Sequence, residues 1–148
     1  MARTDTPSSA PAPFRHTLRV YWEDTDAGGV VFYANYLKFF ERARTEWLRA
    51  LGFSQERLRT DTGAMFVVAD TSVRYASPAR LDDLIEVTVE PLEIGRVSMS
   101  LQQRAWRAGD HAAGAPRLLA EGRIRIGCVD VGTFAPRRIP TAILDTLR

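Results

Sequence analysis

The chain has 148 residues, of which 45% are hydrophobic and 26% charged, a composition typical of one globular domain with an apolar core. Its 20 basic and 18 acidic residues give a net charge of +2, and this near balance disfavours a nucleic-acid-binding surface. No apolar run approaches the length of about 18 residues that a transmembrane helix requires. The sequence contains a single cysteine, Cys128, which excludes an intrachain disulfide.

The first residues differ in composition from the rest of the chain. Residues 1–13 are rich in Pro, Ala, Ser and Thr. They are predicted to form a disordered tail, because such a segment has little apolar surface to bury. The tail has no apolar stretch of the kind that a secretory signal peptide contains, so we expect a cytoplasmic protein. Residues 14–148 form the single predicted domain.

The first predicted element after the tail is a strand. In residues 16–22, Leu18, Val20 and Trp22 are separated by single residues. This period of two predicts a strand that carries these three side chains on one face.

The second predicted element is a long helix over residues 33–51. This segment contains neither Gly nor Pro, and its apolar residues recur three and four positions apart. The apolar face comprises Tyr36, Leu37, Phe40, Ala43, Trp47 and Leu51, and it is widened by Phe39 and Leu48. Asn35 is the predicted N-cap of the helix, and Gly52 is its predicted C-terminal stop.

The remaining predicted elements are a short helix, four strands and a final helix. In chain order they cover residues 54–59, 64–76, 83–93, 96–107, 117–131 and 141–147, with turns at 77–83 and 108–116. Such short connections favour antiparallel strands. A helix with a wide apolar face also needs a sheet that curls around it. The sequence therefore predicts an α+β fold, with one antiparallel sheet wrapped around one long helix.

An acidic turn precedes the long helix. Glu23, Asp24 and Asp26 lie within four residues and are followed by Gly28 and Gly29. A carboxylate can act as a general base or a nucleophile, and the amides at a helix N-terminus can stabilise an oxyanion. The glycines allow the backbone to fold back, so that a carboxylate of the turn faces the helix N-terminus. The alternative is structural, because an Asp in a D-x-G-G setting commonly forms an Asx turn or caps a helix.

Other catalytic sets find little support in the sequence. His16 and His111 are the only histidines, and no nucleophile elbow of the G-x-S-x-G type is present. No cluster of residues has metal-ligand spacing, so no metal is predicted. Cys128 lies in an apolar run and is predicted to be a buried strand residue.

Three segments together resemble a known family. They are YWEDTDAGGVVFYANYLKFFERARTEWL at 21–48, SVRYASPARLDDLIEV at 72–87 and IGCVDV at 126–131. They resemble the hotdog-fold acyl-CoA thioesterases of the 4-hydroxybenzoyl-CoA thioesterase-like family, and most closely its Tol-Pal-associated branch. The resemblance implies a five-stranded hotdog fold, acyl-CoA hydrolysis without a cofactor, and sites between the subunits of a homodimer or homotetramer.

The resemblance also implies the catalytic residues. It places the catalytic carboxylate at Asp26 and the oxyanion-binding backbone amide at Tyr33, with Gly28 and Gly29 at the same site. Many relatives carry His at the position of Tyr33, whereas the hydroxybenzoyl-CoA branch carries Tyr. A backbone contact tolerates this exchange. Asp24 is expected to be a structural hydrogen-bond acceptor.

Further substrate contacts are implied at three positions. Glu41 is expected to face the acyl group, or else to be an exposed helix carboxylate paired with Arg44 or Thr45. Ser77 is expected to help position water across a subunit interface. Arg96 is expected to meet the nucleotide of CoA; Arg80 is a weaker candidate because Asp82 and Asp83 are close in sequence.

Two other functions remain open at this stage. One is a non-catalytic module that binds acyl-CoA or acyl carrier protein. The other is a dehydratase, which would require a histidine with a carboxylate and is disfavoured by the two histidines of the chain. The identity of the acyl group is also open, as is the choice between nucleophile and general base for Asp26.

Overall fold

Five strands and three helices make up the described part of the chain. The structure, a computed structural model, describes residues 12–108 and 116–148. The strands are β1 (Phe14–Arg19), β2 (Ala64–Tyr75), β3 (Leu84–Ile94), β4 (Ser98–Arg107) and β5 (Arg117–Asp130). The helices are α1 (Asn35–Ala50), α2 (Gln55–Thr62) and α3 (Thr141–Leu147). Most of the predicted tail and most of the predicted turn at 108–116, with His111, lie outside the described residues.

The strands form one antiparallel sheet in the order β1-β3-β4-β5-β2. Phe14 pairs with Val89, Ser98 with Gly127 and Ala64 with Asp130, so β1 and β2 are the two edges. The predicted α+β fold with a five-stranded antiparallel sheet is confirmed. Cys128 is buried on β5, as predicted.

Helix α1 packs against one face of this sheet. Its fully buried side chains include Phe39, Phe40 and Ala43. A Cβ atom at Gly122 of β5 would lie 2.9 Å from Cε2 of Phe40, so the glycine permits this close approach. The buried amide of Gln103 donates to the Phe40 carbonyl at 3.0 Å and accepts from Nη1 of Arg44 at 2.9 Å, which satisfies it and ties α1 to β4.

The first predicted strand is too long. It ends at Arg19, and a 3₁₀ turn follows at Trp22–Asp24. Trp22 is 79% exposed rather than inward-facing. The backbone turns here because the Tyr21 amide donates to the Asp24 carboxylate and the Thr25 amide donates to the Trp22 carbonyl. Leu37, predicted on the apolar face of α1, is also 46% exposed.

The ends of α1 confirm one capping prediction and correct the other. The N-cap is Ala34 rather than Asn35, because the Asn35 side chain donates instead to the Asp24 carbonyl at 2.9 Å. At the C-terminus Gly52 adopts a φ of 102°. The amides of Gly52 and Phe53 donate to the carbonyls of Arg49 and Leu48, which is the Schellman arrangement that Gly52 was predicted to allow.

Candidate active site

The acidic turn is a tight, hydrogen-bonded loop. An antiparallel bridge joins Thr25 to Val31, and the Asp26 amide donates to the Val30 carbonyl at 2.9 Å. The Gly29 amide donates to the Asp26 carbonyl at 2.9 Å, and Gly29 has a φ of 81° that favours glycine. The loop therefore holds Asp26 at its exposed tip.

The Asp26 carboxylate has one oxygen engaged in the turn. Its Oδ1 accepts from the Gly28 amide at 2.8 Å, which is the Asx turn expected for this sequence. No donor in residues 12–108 or 116–148 lies within hydrogen-bonding distance of Oδ2. A Cβ atom at Gly28 would approach Oδ1 to 3.2 Å, so Gly28 also keeps the carboxylate uncrowded. The Asx turn therefore fixes Oδ1 and leaves Oδ2 available to a ligand.

Asp24 connects this loop to the start of α1. Its carboxylate is largely buried and accepts from the Tyr21 amide at 2.9 Å, as expected for a structural acceptor. Its carbonyl accepts from the Phe32 amide and from the Asn35 side chain, each at 2.9 Å. Glu23 is exposed. The two ends of the loop are thereby fixed relative to the helix N-terminus.

The helix N-terminus presents two unpaired amides. In the described part of the chain, no acceptor lies within hydrogen-bonding distance of the N–H of Tyr33 or of Ala34. The Phe32 carbonyl accepts from the Asn35 amide at 2.9 Å, and the Tyr33 carbonyl accepts from the Tyr75 hydroxyl at 3.0 Å. Free amides at this end of a helix attract negative charge because the helix dipole is positive there.

An aromatic depression of about 300 Å³ adjoins these amides. Tyr33, Tyr36, Tyr75 and Ser77 are among the residues that line it. The Tyr75 ring meets Tyr33 and Tyr36 edge-on, at centroid distances of 6.0 and 5.6 Å. Burial raises the pKa of Tyr36 to about 12, although a backbone hydrogen bond from Ala79 opposes this effect, and burial also raises the pKa of Tyr75. Both hydroxyls are therefore neutral hydrogen-bond donors at neutral pH.

Glu41 faces a different cavity. It is exposed, and its carboxylate accepts from the Thr45 hydroxyl at 2.6 Å. This is the pairing with Thr45 that was expected if Glu41 is an exposed helix carboxylate. The cavity beside it has a volume of about 130 Å³ and also contacts Arg44, Phe66 and Val68. Burial lowers the pKa of the Arg44 guanidinium, although the nearby Glu41 charge opposes this. The structure places Glu41 two turns along α1 from the unpaired amides.

Arg96 lies far from the acidic turn within one chain. It follows β3, whereas the acidic turn follows β1, whose end at Arg19 pairs with Leu84 at the start of β3. The length of β3 therefore separates the two sites, which is about 35 Å for an extended strand of this length. Arg80 is nearer, because it forms a bridge with Val30. No carboxylate in the described residues pairs with its guanidinium; the Asp83 carboxylate accepts from its backbone amide.

No sequence pattern pointed to a role for Tyr75 in the site. The residue lies 42 positions from Tyr33, and its hydroxyl contact depends on how β2 is placed beside α1. A strand pattern predicts that residue 75 ends a strand but says nothing about what its hydroxyl reaches. Arg80 was predicted only as the weaker of two arginines, because Asp82 and Asp83 lie close to it in sequence and could pair with it.

The described residues contain neither a metal-binding cluster nor a membrane-spanning helix. Residues 12–108 and 116–148 contain no group of three or more His, Cys, Asp or Glu side chains arranged to hold a metal ion. No helix in the same ranges is both long and apolar enough to cross a bilayer.

Comparison with known proteins identifies the family. The model of the thioesterase superfamily matches residues 28–113. The chain belongs to the thioesterase superfamily. The acyl-CoA thioester hydrolase YbgC of Escherichia coli O6:H1 is 44% identical over 131 residues, which are 88% of this chain and 92% of that protein. The acyl-CoA thioesterase YbgC of Haemophilus influenzae is 40% identical over 130 residues, which are 88% and 90%.

Solved structures of the thioesterase superfamily share the fold. A probable thioesterase from Bartonella henselae superposes with a TM-score of 0.78 at 29% identity, covering 87% of this chain and all of that one. The resemblance to hotdog-fold thioesterases expected from the sequence is thus confirmed. The superfamily match begins at Gly28, two residues after Asp26. A role for Asp26 therefore depends on the geometry of the turn and not on that match.

Proposed function

We propose that this member of the thioesterase superfamily hydrolyses acyl-CoA thioesters to free CoA and a carboxylic acid. The names of relatives that are 40 and 44% identical support the substrate class. The observation that carries the proposal is the pair of unpaired amides, at Tyr33 and Ala34, beside a loop whose tip is Asp26.

The unpaired amides suit the oxyanion of the reaction. Attack on a thioester carbonyl transfers negative charge to its oxygen, and fixed N–H donors at a helix N-terminus stabilise that charge. The loss of one such donor typically costs about 3 to 4 kcal/mol of transition-state stabilisation. The Tyr33 amide is the donor that we assign to the thioester oxygen.

Asp26 supplies the other half of the reaction through its free oxygen, Oδ2. As a general base, it takes a proton from water while the water oxygen bonds to the acyl carbon; the C–S bond then breaks, and the CoA thiolate is protonated. As a nucleophile, Oδ2 bonds to the acyl carbon and expels CoA, and water then hydrolyses the mixed anhydride. Both routes consume one water and require no cofactor. Gly28 and Gly29 maintain the turn that presents this oxygen.

The remaining contacts divide between the acyl group and CoA. The depression bounded by Tyr33, Tyr75 and Ser77 has an apolar wall next to the unpaired amides and suits the start of the acyl group. Glu41 borders a second cavity further along α1, which suits its far end.

The CoA phosphates need a cation, and two arginines are candidates. Arg80 is adjacent in the same chain, whereas Arg96 reaches the site only from a second subunit. A homodimer or homotetramer is therefore part of the proposal, and acyl carrier protein is an alternative carrier of the acyl group.

The function is tested by the release of free CoA from short, long and aromatic acyl-CoAs, with Asp26→Asn beside the wild type. The substitution preserves size and removes the charge. We expect kcat to fall by at least about a hundredfold. Glu23→Gln is the matched control, because it removes an exposed carboxylate three residues away. This variant should retain wild-type turnover.

The other outcomes separate the rival functions. Equal turnover by Asp26→Asn and the wild type would exclude Asp26 as the catalytic carboxylate. Absence of turnover on every acyl-CoA and on acyl carrier protein thioesters, together with measurable binding, would indicate a non-catalytic binding module. Circular dichroism and the melting temperature establish that each variant is folded.

A further inference from the structure

The directions of the two unpaired amides are set by the hydrogen bonds of their own peptide groups. A peptide group is planar, so a carbonyl and the N–H of the next residue point in opposite directions. The Phe32 carbonyl accepts from the Asn35 amide, which directs the Tyr33 N–H away from Asn35. The Tyr33 carbonyl accepts from the Tyr75 hydroxyl, which directs the Ala34 N–H away from Tyr75.

Tyr33 and Ala34 are also the central residues of one turn. The Asn35 amide closes this turn onto the Phe32 carbonyl, and Ala34 has helical dihedral angles, with a φ of −70° and a ψ of −19°. Successive amides in this conformation point to the same side, as they do in the first turn of a helix. Both N–H groups are thus available to one acceptor.

We propose that Tyr75 is a positioning residue for an oxyanion site with two donors. Its hydroxyl holds the peptide group between Tyr33 and Ala34, so that the Ala34 N–H joins the Tyr33 N–H at the thioester oxygen. This inference rests on the proposed acyl-CoA hydrolysis. It adds the second donor and the side chain that orients it.

The surroundings of Tyr75 favour this role. It is the last residue of β2 and pairs with Ala120 of β5, so its backbone is fixed by the sheet. Its ring lies edge-on to Tyr33 and Tyr36, which restricts the position of the hydroxyl. Without this hydroxyl, the Tyr33 carbonyl would retain, among donors in residues 12–108 and 116–148, only the Tyr36 amide at 3.4 Å, beyond the usual range for such a bond.

The first test is the substitution Tyr75→Phe, which removes the hydroxyl and keeps the ring. We expect kcat to fall about tenfold, less than the hundredfold or more that follows the loss of an oxyanion donor, because the Ala34 amide is still present but no longer held. KM should remain within about twofold, since the ring still lines the depression. Tyr21→Phe is the matched control, because Tyr21 is 65% exposed and no residue in the described ranges accepts a hydrogen bond from its hydroxyl.

The second test does not depend on turnover. Backbone NMR relaxation of the free protein reports the mobility of individual amides. In Tyr75→Phe we expect the Ala34 order parameter to fall while that of Tyr33 is unchanged, because the peptide group before Tyr33 remains held by Asn35. Tyr21→Phe should leave both values at the wild-type level.

The two tests separate this inference from the function on which it rests. If the wild type hydrolyses thioesters and Tyr75→Phe has wild-type kcat, the inference is wrong and the function stands. A fall in kcat with an unchanged Ala34 amide also overturns it, since Tyr75 then acts in another way. If the wild type hydrolyses no thioester, the proposed function fails, and the relaxation data still decide whether Tyr75 holds the peptide group.

Discussion

One residue that lines the aromatic depression, Tyr36, links the candidate site to stability. Tyr36 is 3% exposed, and burial raises its pKa from 10.0 to about 12. An unfolded tyrosine ionises near the lower value. Between about pH 10 and pH 12 the folded chain therefore binds more protons than the unfolded chain, and its free energy of unfolding must fall as the pH rises. The contribution of Tyr36 is fully present below that range.

This pH dependence can be measured with one substitution. The urea midpoint of the wild type should fall between about pH 10 and about pH 12, and Tyr36→Phe should show a smaller fall because it has no proton to lose at this position. Tyr21→Phe, which removes an exposed phenol, should follow the wild type. Parallel curves for Tyr36→Phe and the wild type would show that burial at this position does not control the alkaline loss of stability.

Two aspartates of the acidic turn show how residue environment decides role. Asp24 is buried and bonded through both its carboxylate and its carbonyl, so its contacts stabilise the loop. Asp26 is exposed and bonded through Oδ1 alone within the described residues. The family resemblance predicted this division, because it assigned the catalytic carboxylate to Asp26, two residues before Gly28, and left Asp24 as a structural acceptor. In the proposed reaction Asp26 acts together with the unpaired amides of Tyr33 and Ala34. These amides belong to the turn over residues 32–35, which the sequence did not predict.

At the level of elements, the contact between α1 and β5 depends on a missing side chain. A Cβ atom at Gly122 would lie 2.9 Å from Cε2 of Phe40 and 3.1 Å from Cδ1 of Ile124. Phe40 is fully buried, so its ring has no space into which to move. We expect Gly122→Ala to force α1 away from the sheet and to lower the free energy of unfolding by about 1 to 3 kcal/mol.

The same strand offers the control for this prediction. Gly127 also lies on β5, but the nearest atom to a Cβ there is the Val97 carbonyl oxygen at 4.0 Å. Gly127→Ala should therefore leave the free energy of unfolding within about 0.5 kcal/mol of the wild type or raise it, since alanine restricts the unfolded chain. Equal midpoints for the Gly122→Ala variant and the wild type would show that the helix is not held by this close approach.

Periodicity predicted the elements well and their tertiary contacts poorly. The predicted strand at 64–76 and the helix at 141–147 agree closely with β2 and α3, because alternation and turn residues report on local structure. Trp22 fitted the alternation of β1 but lies in a 3₁₀ turn. That turn depends on Asp24, whose carbonyl is held by Asn35 eleven residues later. The same contact explains why Asn35 is not the N-cap.

At the scale of the whole molecule, a single chain does not bring Arg96 close to the acidic turn. Family resemblance implied an arginine there for the CoA nucleotide, yet the sheet register places it at the far end of β3 from the acidic turn. The distance between Arg96 and the acidic turn depends on the strand order and register, which the sequence pattern alone does not provide. Either Arg80 takes this role in the same chain, or Arg96 takes it from a second subunit.

An edge strand provides the surface on which a second subunit would pair. β2 is 12 residues long and lies at one edge of the sheet, and Val68 near its middle is 52% exposed. An unpaired strand edge of this length favours pairing with another chain. We predict a homo-oligomer, with a mass by light scattering of at least two copies of the 16.6 kDa chain.

Val68→Asp tests whether β2 forms the subunit contact. In a two-fold interface each substitution occurs twice, so the variant places two negative charges near each other and removes two apolar side chains. We expect it to dissociate to a folded single chain. Leu92→Asp is the matched control, because Leu92 is a 39% exposed apolar residue on β3, which β4 and β5 separate from β2 in the sheet. If Val68→Asp keeps the wild-type mass, the subunit contact lies elsewhere than on β2. If the wild type itself is a monomer, there is no subunit contact. In a monomer Arg96 would be too far from the acidic turn to contact the same substrate. Of the two candidate arginines, Arg80 would then remain for the phosphates of CoA.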